Sequence, residues 1–447
     1  MSENLNNDFS FKAFAWLQFK KNKPALVSLY LLMFLVFIAL FAPFIANNQP
    51  LYMKYKGESF YPAFSTLMNE SKVDSVYDEQ AEAQIVFQYD LMDWRAVELN
   101  AVVWPLIPYG ASTADKYNRD YADPGVEQRM RNSKGEIVKL PGRLKHFMGT
   151  DKLGRDVASG VIHGTKISLL VGLVSMGIAC LIGILLGSLS GFFGNDGLST
   201  SRIQYWLGVI GVFIGYFYAF ISRSLTLKES FDSGLLEGVF TLFISLLIWF
   251  LVIIGFVQFG KLFKKISFLN VEVTIPIDAI VSRAIEVLNS LPIFILIITI
   301  SALLSEKSLW VLMVIIGLTG WTGIARLMRA EMLRIKQMEY IQAGKALGLS
   351  NMRILTKHAI PNGLGPVFVS FAFGVASAIL TESGLSFLGI GVPDDIVTWG
   401  SMLNLGKNEF EAWWLVIYPG LAIFVTITVY NLIGEGLRDA LDPKLKK

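Results

Sequence analysis

The chain is poor in residues that do chemistry. It has one cysteine, Cys180, and three histidines in 447 residues. A lone cysteine excludes an intrachain disulfide, and Cys180 sits in an apolar run where packing is its expected role. Three histidines, with no His-Glu-x-x-His pair, give no basis for a His-rich metal site. No Gly-x-x-x-x-Gly-Lys-Ser/Thr loop occurs, so nothing in the chain is built to cradle and hydrolyse a nucleotide. Charge is scarce: Asp, Glu, Lys and Arg make up 17% of the residues and the net charge is +3, against about 25% charged in soluble domains. That composition gives no footing to nucleic-acid binding either. Apolar residues fill the gap, at 53% with 32 Phe and a mean hydropathy of +0.52. An all-α integral membrane protein follows, because lipid supplies no hydrogen bonds to an open backbone. Energy for any transport would come from another subunit or an ion gradient.

Residues 1–24 are polar and end in Lys20, Lys21 and Lys23, directly before the apolar run 25–46. A cleaved leader is the competing reading. The run is longer than a leader's apolar region and matches a bilayer crossing, with its flanking lysines holding the N-terminus inside. Phe9, Phe11, Phe14, Trp16, Leu17 and Phe19 fit a short amphipathic helix on the membrane surface. Residues 47–147 are polar, punctuated by Pro50, Pro62, Pro105, Pro108, Pro124 and Pro141, and contain no crossing. They are expected outside, as an insertion. Block 148–194 enters and forms the second core crossing, where Gly183, Gly187 and Gly191 leave one helix face bare for packing. Asp151, Arg155 and Asp156 stand at its entry. An acid–base site is conceivable there, but without a nucleophile or cofactor a structural ion pair or helix cap is favoured.

Block 195–277 holds two further apolar runs, about 203–221 and 236–259, followed by Lys261, Lys264 and Lys265. It is expected to be an inserted hairpin that leaves and returns to the cytoplasm. Block 278–434 carries the remaining core crossings, near 284–304, 309–328, 366–388 and 414–432, with a kink expected at Pro292. The tail 435–447 returns inside. The sum is eight crossings, six core and two inserted. Glu382 lies within the crossing at 366–388, where an acid must find a partner or water; a structural partner and a pathway role both stay open. Trp399, Trp413 and Trp414 are placed at the outer interface, as tryptophans prefer.

Between two crossings lies a polar loop, 331–362. Its sequence predicts two short helices with a bend, stopped by Gly348, recapped by Ser350 and ended by Pro361. Small residues at 343, 344 and 346 would allow another backbone close approach. An ordinary basic loop is the plain alternative.

Gln342-Ala343-Gly344, then Gly348, then Ile360-Pro361 resembles the coupling loop of binding-protein-dependent ABC importer permeases, whose pattern is Glu-Ala-Ala, three residues, Gly, and a later apolar-Pro pair. Tyr340, Ala346-Leu347-Gly348 and His358 resemble the oligopeptide/dipeptide branch. Gln342 stands where the family has Glu, and Gly344 where it has Ala. Met148-Gly149-Thr150-Asp151, with Leu153-Gly154-Arg155-Asp156, is similar to the family's entry motif. Ile45 to Leu51, Tyr55-x-Gly57 and Trp104 to Gly110 resemble its long-loop branch, associated with peptide and microcin-type substrates. The resemblance implies a type I importer transmembrane domain in a bacterial inner membrane, with both termini cytoplasmic. It implies a second permease subunit, two ATP-binding-cassette ATPases that bind the ATP and Mg, an extracytoplasmic solute-binding protein and surrounding lipid. Glu339, Gln342, Ala343, Gly344, Gly348 and Pro361 become the expected ATPase-coupling positions. The cargo would be small peptides, with nickel or another solute as the alternative. A stand-alone secondary transporter is the rival from another class, and it would need more buried ionisable residues than the crossings hold.

Overall fold

Long apolar runs in lipid must satisfy their own backbones, and helices are how this chain does so. The computed structural model describes residues 11–55, 57–67, 73–78, 83–88, 94, 101–132, 136–233, 235–263, 270–303, 308–393 and 395–441. In order come α1 (Phe11–Lys21), α2 (Lys23–Ile45), β1 (Tyr52–Tyr55), β2 (Glu58–Phe60), α3 (Pro62–Leu67), β3 (Val73–Asp78), β4 (Ala83–Gln88), β5 (Ala101–Val103), β6 (Arg129–Arg131) and β7 (Ile137–Lys139). Then follow α4 (Val157–Phe193), β8 (Ser199–Ser201), α5 (Arg202–Tyr216), α6 (Ser224–Ser233), α7 (Leu235–Gly260), β9 (Glu272–Thr274), α8 (Ile277–Asn289), α9 (Ile293–Leu303) and α10 (Leu309–Ile335). The chain closes with α11 (Glu339–Ala346), α12 (Asn351–Ile354), α13 (Ile360–Gly363), α14 (Gly365–Phe387), α15 (Trp399–Gly406) and α16 (Trp414–Leu441). Among the described residues, 7 helices are long and apolar enough to cross a membrane; the pair α8–α9, bent by 82° at its break, passes the same test when taken as one span.

The chain divides into two units. The first comprises Met1–Gly177, Leu296–Gly317 and Phe368–Lys447. Its helical core gathers Val171 of α4, Ile297 of α9, Leu312, Met313 and Ile316 of α10, and Ala378 and Leu385 of α14. Ser175 donates its hydroxyl to the Met313 carbonyl at 2.9 Å, which satisfies that buried polar group. Helix α1 packs on α16 and leaves Trp16 and Leu17 exposed. Phe19 is buried with Ala25 and Ala440, and Asn22 both caps α2 and donates to Asp439 at 3.0 Å. Phe9 lies outside the described residues.

The segment at 47–147 adds β structure to an otherwise helical chain. Its prolines and short polar runs forbid long helices, and β1 pairs antiparallel with both β2 and β5. The Met53 side chain is fully buried in that sheet, as are Trp94 and Tyr109 in the segment. Ile107 donates to the Ile45 carbonyl at 2.9 Å, fastening the segment to the end of α2.

The second unit comprises Ile178–Ile295 and Leu318–Val367. Here the bare glycine face of α4 meets α10. A methyl group on Gly187 would strike the Ala325 carbonyl, and one on Gly191 the Arg329 carbonyl. Gly183 is pressed in the same way against Ile324. Packing is therefore what this stripe does. Helices α5 and α7 form the hairpin, with Gly211 and Gly215 against Phe256 and Trp249, and Gln204 donating to the Val257 carbonyl at 3.2 Å. Strands β8 and β9 pair antiparallel at its base. There Asp278 N–H donates to the Gly194 carbonyl at 3.3 Å. Lys264 and Lys265 lie outside the described residues.

Pro292 does more than kink a helix. Helix α8 ends at Asn289, α9 begins at Ile293, and the earlier helix starts at Ile277 rather than near 284. The sequence reading missed those seven residues because they are polar on one face. Asp278, Ser282, Glu286 and Asn289 recur at helical spacing, with the buried Val281 and Ile285 beside them.

Candidate functional site: the loop after α10

The loop is anchored before it begins. Near the end of α10, the Arg329 guanidinium holds both oxygens of Asp278, at 2.5 and 2.7 Å. Ser190 at the end of α4 donates to the same carboxylate at 2.5 Å. One bidentate pair thus ties α4, α8 and α10 together where α10 gives way to the loop.

Helix α11 begins at Glu339. Gly348 has φ +79°, the left-handed turn that glycine adopts freely. Ser350 then caps α12 by accepting from Arg353 N–H at 3.4 Å. The predicted helix–bend–helix is present in these residues. Pro361 does not end the second helix, however. A π-turn over Leu355–Ala359 precedes it, and Pro361 sits at the first positions of α13. A residue without an N–H is accommodated there, since no earlier carbonyl in the helix awaits its bond.

The loop has two faces. Ile341, Gly344, Ile354, Leu355, Ala359 and Gly363 point inward and are buried. Gly363 lies against Met332 and Ile335 of α10, so the loop is seated on the helix that precedes it. The other face is exposed: Glu339, Gln342 and Ala343, with Tyr340, Met352 and Leu347, the last 82% accessible. Leu347 directly follows α11, and with Tyr340 and Met352 it gives this outer face three exposed apolar side chains. Gly344 departs from the sequence expectation. Its Cα faces Leu349 and Ile354 of its own loop, so close approach there is internal. Gln342 also has an internal partner, because its amide donates to the Lys336 carbonyl at 2.8 Å.

The other predicted residues form two separate clusters in the first unit. Asp151 accepts from the N–H groups of Leu153 and Arg155, each at 2.9 Å, and from Arg155 Nε at 2.6 Å. Asp156 caps α4 by accepting from Ser159 N–H at 2.6 Å. The sequence reading missed their neighbour His146, which is fully buried. Its Nδ1 lies 2.8 Å from Asp156 and its Nε2 3.3 Å from Asp115. Burial disfavours the imidazolium, but the two carboxylates outweigh burial and set its pKa above the ordinary histidine value. Glu382 is fully buried too, accepting from Ser386 at 2.7 Å and from Ser383 at 3.4 Å. Both of its oxygens are thus met inside the fold, by hydroxyls of its own helix. Trp399 and Trp414 are buried, their indoles donating to the carbonyls of Val161 and Thr150 at 3.0 and 2.9 Å, while Trp413 is 47% exposed.

Residues 273–447, which include this loop, match the pattern described as the binding-protein-dependent transport system inner membrane component. Residues 10–62 match the N-terminal transmembrane domain of oligopeptide transport permease C. A dipeptide transport system permease of Bacillus subtilis is 30% identical over 310 residues, covering 69% of this chain and 72% of that protein. The chain belongs to the binding-protein-dependent ABC importer permeases. Two longer relatives confirm the extent of the match. A peptidoglycan transport system permease of Agrobacterium fabrum is 26% identical over 96% of this chain and 92% of its own length. An inner membrane ABC transporter permease of Escherichia coli is 26% identical over 96% of both. This permease is therefore a membrane protein of a family whose members work with ATPase and binding-protein subunits.

Proposed function

We propose that this chain is the non-catalytic permease subunit of a peptide importer, with the exposed face of α11 and α12 seated in a groove of an ATPase subunit. The observation that carries the proposal is the two-faced loop. Its inner face is locked onto α10, so a push on its outer face moves a membrane helix rather than a slack connection. Glu339, Gln342, Ala343 and Gly348 set that outer face, and Leu347 is its apolar tip. Both termini and the loop lie in the cytoplasm, with 47–147 outside to meet the solute-binding protein. Blocks 1–24, 25–46, 148–194, 195–277, 278–434 and 435–447 are its tail, crossings, hairpin, core and end. A second permease and two ATPase subunits, which bind ATP and Mg, complete the machine. Relatives named for dipeptide and oligopeptide transport support the peptide cargo.

The test is reconstitution of the complex in proteoliposomes, with peptide uptake and binding-protein-stimulated ATP hydrolysis as readouts. Leu347→Asp should abolish ATPase co-purification and uptake while the chain still inserts. Full stimulation by that variant would move the ATPase contact elsewhere. Uptake of nickel in place of peptide would replace the cargo assignment alone.

A further inference from the structure

Helix α8 presents polar side chains where a membrane helix should present apolar ones. Ser282, Glu286, Asn289 and Ser290 line a groove of about 470 Å³ together with Arg326 and Arg329 of α10. Asn289 lies 11 residues beyond Asp278, about 16 Å further along the helix. The Thr322 hydroxyl lies 3.2 Å from the Asn289 amide oxygen and closes the groove's far end. Hydrocarbon does not tolerate such a face, so water or polar protein must meet it. Its concavity and its mixture of amide, hydroxyl and both charge signs favour water and a solute over a sealed helix contact.

The charges do not cancel. Arg329 is neutralised by Asp278, and Glu286 is paired with Arg283 at 2.7 Å. Arg326 is exposed on α10 and has no hydrogen-bond or ion-pair partner among the described residues. One guanidinium is left over at the groove.

We propose that this groove is the cytoplasmic half of the transport path, and that Arg326 offers a transient site to the carboxylate of the peptide passing through it. The proposal rests on the peptide-importer reading above and names the residues that meet the cargo.

The test uses the assembled transporter in inside-out vesicles, on a Cys180→Ser background. Single cysteines are placed at Asn289, at Ser282 and, as a control on the flank of α8, at Val287. A cationic and an anionic methanethiosulfonate are the probes. Asn289→Cys and Ser282→Cys should react, Val287→Cys should not, and trapping with ATP and vanadate should suppress the reaction. Asn289→Cys should favour the anionic probe. Arg326→Gln should reduce that preference about fivefold, the size of one screened charge, and Arg326→Lys should restore it. If Arg326→Gln fails to assemble, raising the salt concentration should produce the same loss by screening.

Equal reaction at Val287 and Asn289 would overturn the path, as would labelling indifferent to nucleotide. A probe preference unchanged by Arg326→Gln would remove the carboxylate site. A preference that depends on anionic lipid would assign Arg326 to headgroup phosphate and overturn its role in transport. Peptide uptake by right-side-out vesicles from the same cells is read separately. Nucleotide-gated labelling without peptide uptake would leave the groove standing and remove the peptide.

Discussion

His146 shows how one buried residue sets a pH dependence. Its folded pKa stands above the unfolded value of about 6.5. A group raised on folding contributes its full stability below the unfolded pKa and loses it as pH rises through the folded one. The permease should therefore be less heat-stable in alkaline buffer than near pH 6, and His146→Gln should flatten that dependence. Thermal unfolding in detergent across pH checks it; a wild-type profile parallel to that of His146→Gln would refute the role. His146→Ala should be harsher, by about 3 kcal/mol, because it removes the cation that two buried carboxylates share. Gln342 carries a second residue-scale prediction. From sequence alone, Gln342→Glu restores the family's residue and should be tolerated. With its amide donating to the Lys336 carbonyl, the carboxylate loses that bond and faces the negative end of α10. The expected cost is about 1 kcal/mol, seen as weaker stimulation of ATP hydrolysis; unimpaired stimulation would show the bond to be dispensable.

At the scale of elements, the crossings were legible because burial in lipid leaves long, uninterrupted apolar runs. The glycine stripe of α4 was legible for the same reason, as spacing alone puts Gly183, Gly187 and Gly191 on one face. Gly187→Val should destabilise the core by about 1–3 kcal/mol, because the added side chain strikes the Ala325 backbone, which cannot swing aside. A melting temperature equal to that of the unmodified protein would count against the contact. Features that depend on distant partners were not legible. His146 and Asp115 are 31 residues apart, and no local pattern joins them. Pro361 misled because a preceding π-turn removes the need for its N–H. The polar face of α8 hid its first turns, since a hydrophobic window skips amphipathic residues. In the loop after α10 the sequence placed the bend and cap but not the direction of each side chain. Gly344 and Ala343 are neighbours, yet Gly344 is buried and Ala343 exposed. Ala343→Arg should therefore uncouple ATP hydrolysis without loss of folding, whereas Gly344→Trp should disrupt the loop itself. Protease digestion of the loop, read beside ATPase stimulation, separates the two outcomes.

For the whole molecule, the hairpin is the part that the loop after α10 and its anchors do not use. Asp278, Ser190 and Arg329 hold α4, α8 and α10 together, and none of the three lies between 195 and 277. The insertion departs and returns at one point. Asp278 N–H reaches the Gly194 carbonyl at 3.3 Å, and Ala279 N–H reaches the Asn195 side chain at 3.0 Å. Removing 195–277 and joining the ends through two glycines therefore spans a gap the chain already closes. The hairpin's own packing, α5 on α7, leaves with it, so few core groups are stranded. The shortened permease should insert, copurify with its ATPase partners and keep the Asp278–Arg329 bridge. Asp278→Asn in the shortened chain should then destabilise it as much as in the full one, measured as the difference in melting temperature. A shortened chain that fails to assemble would make the hairpin part of the core. Equal stability with and without Asp278→Asn would show that the bridge had broken when the hairpin was removed.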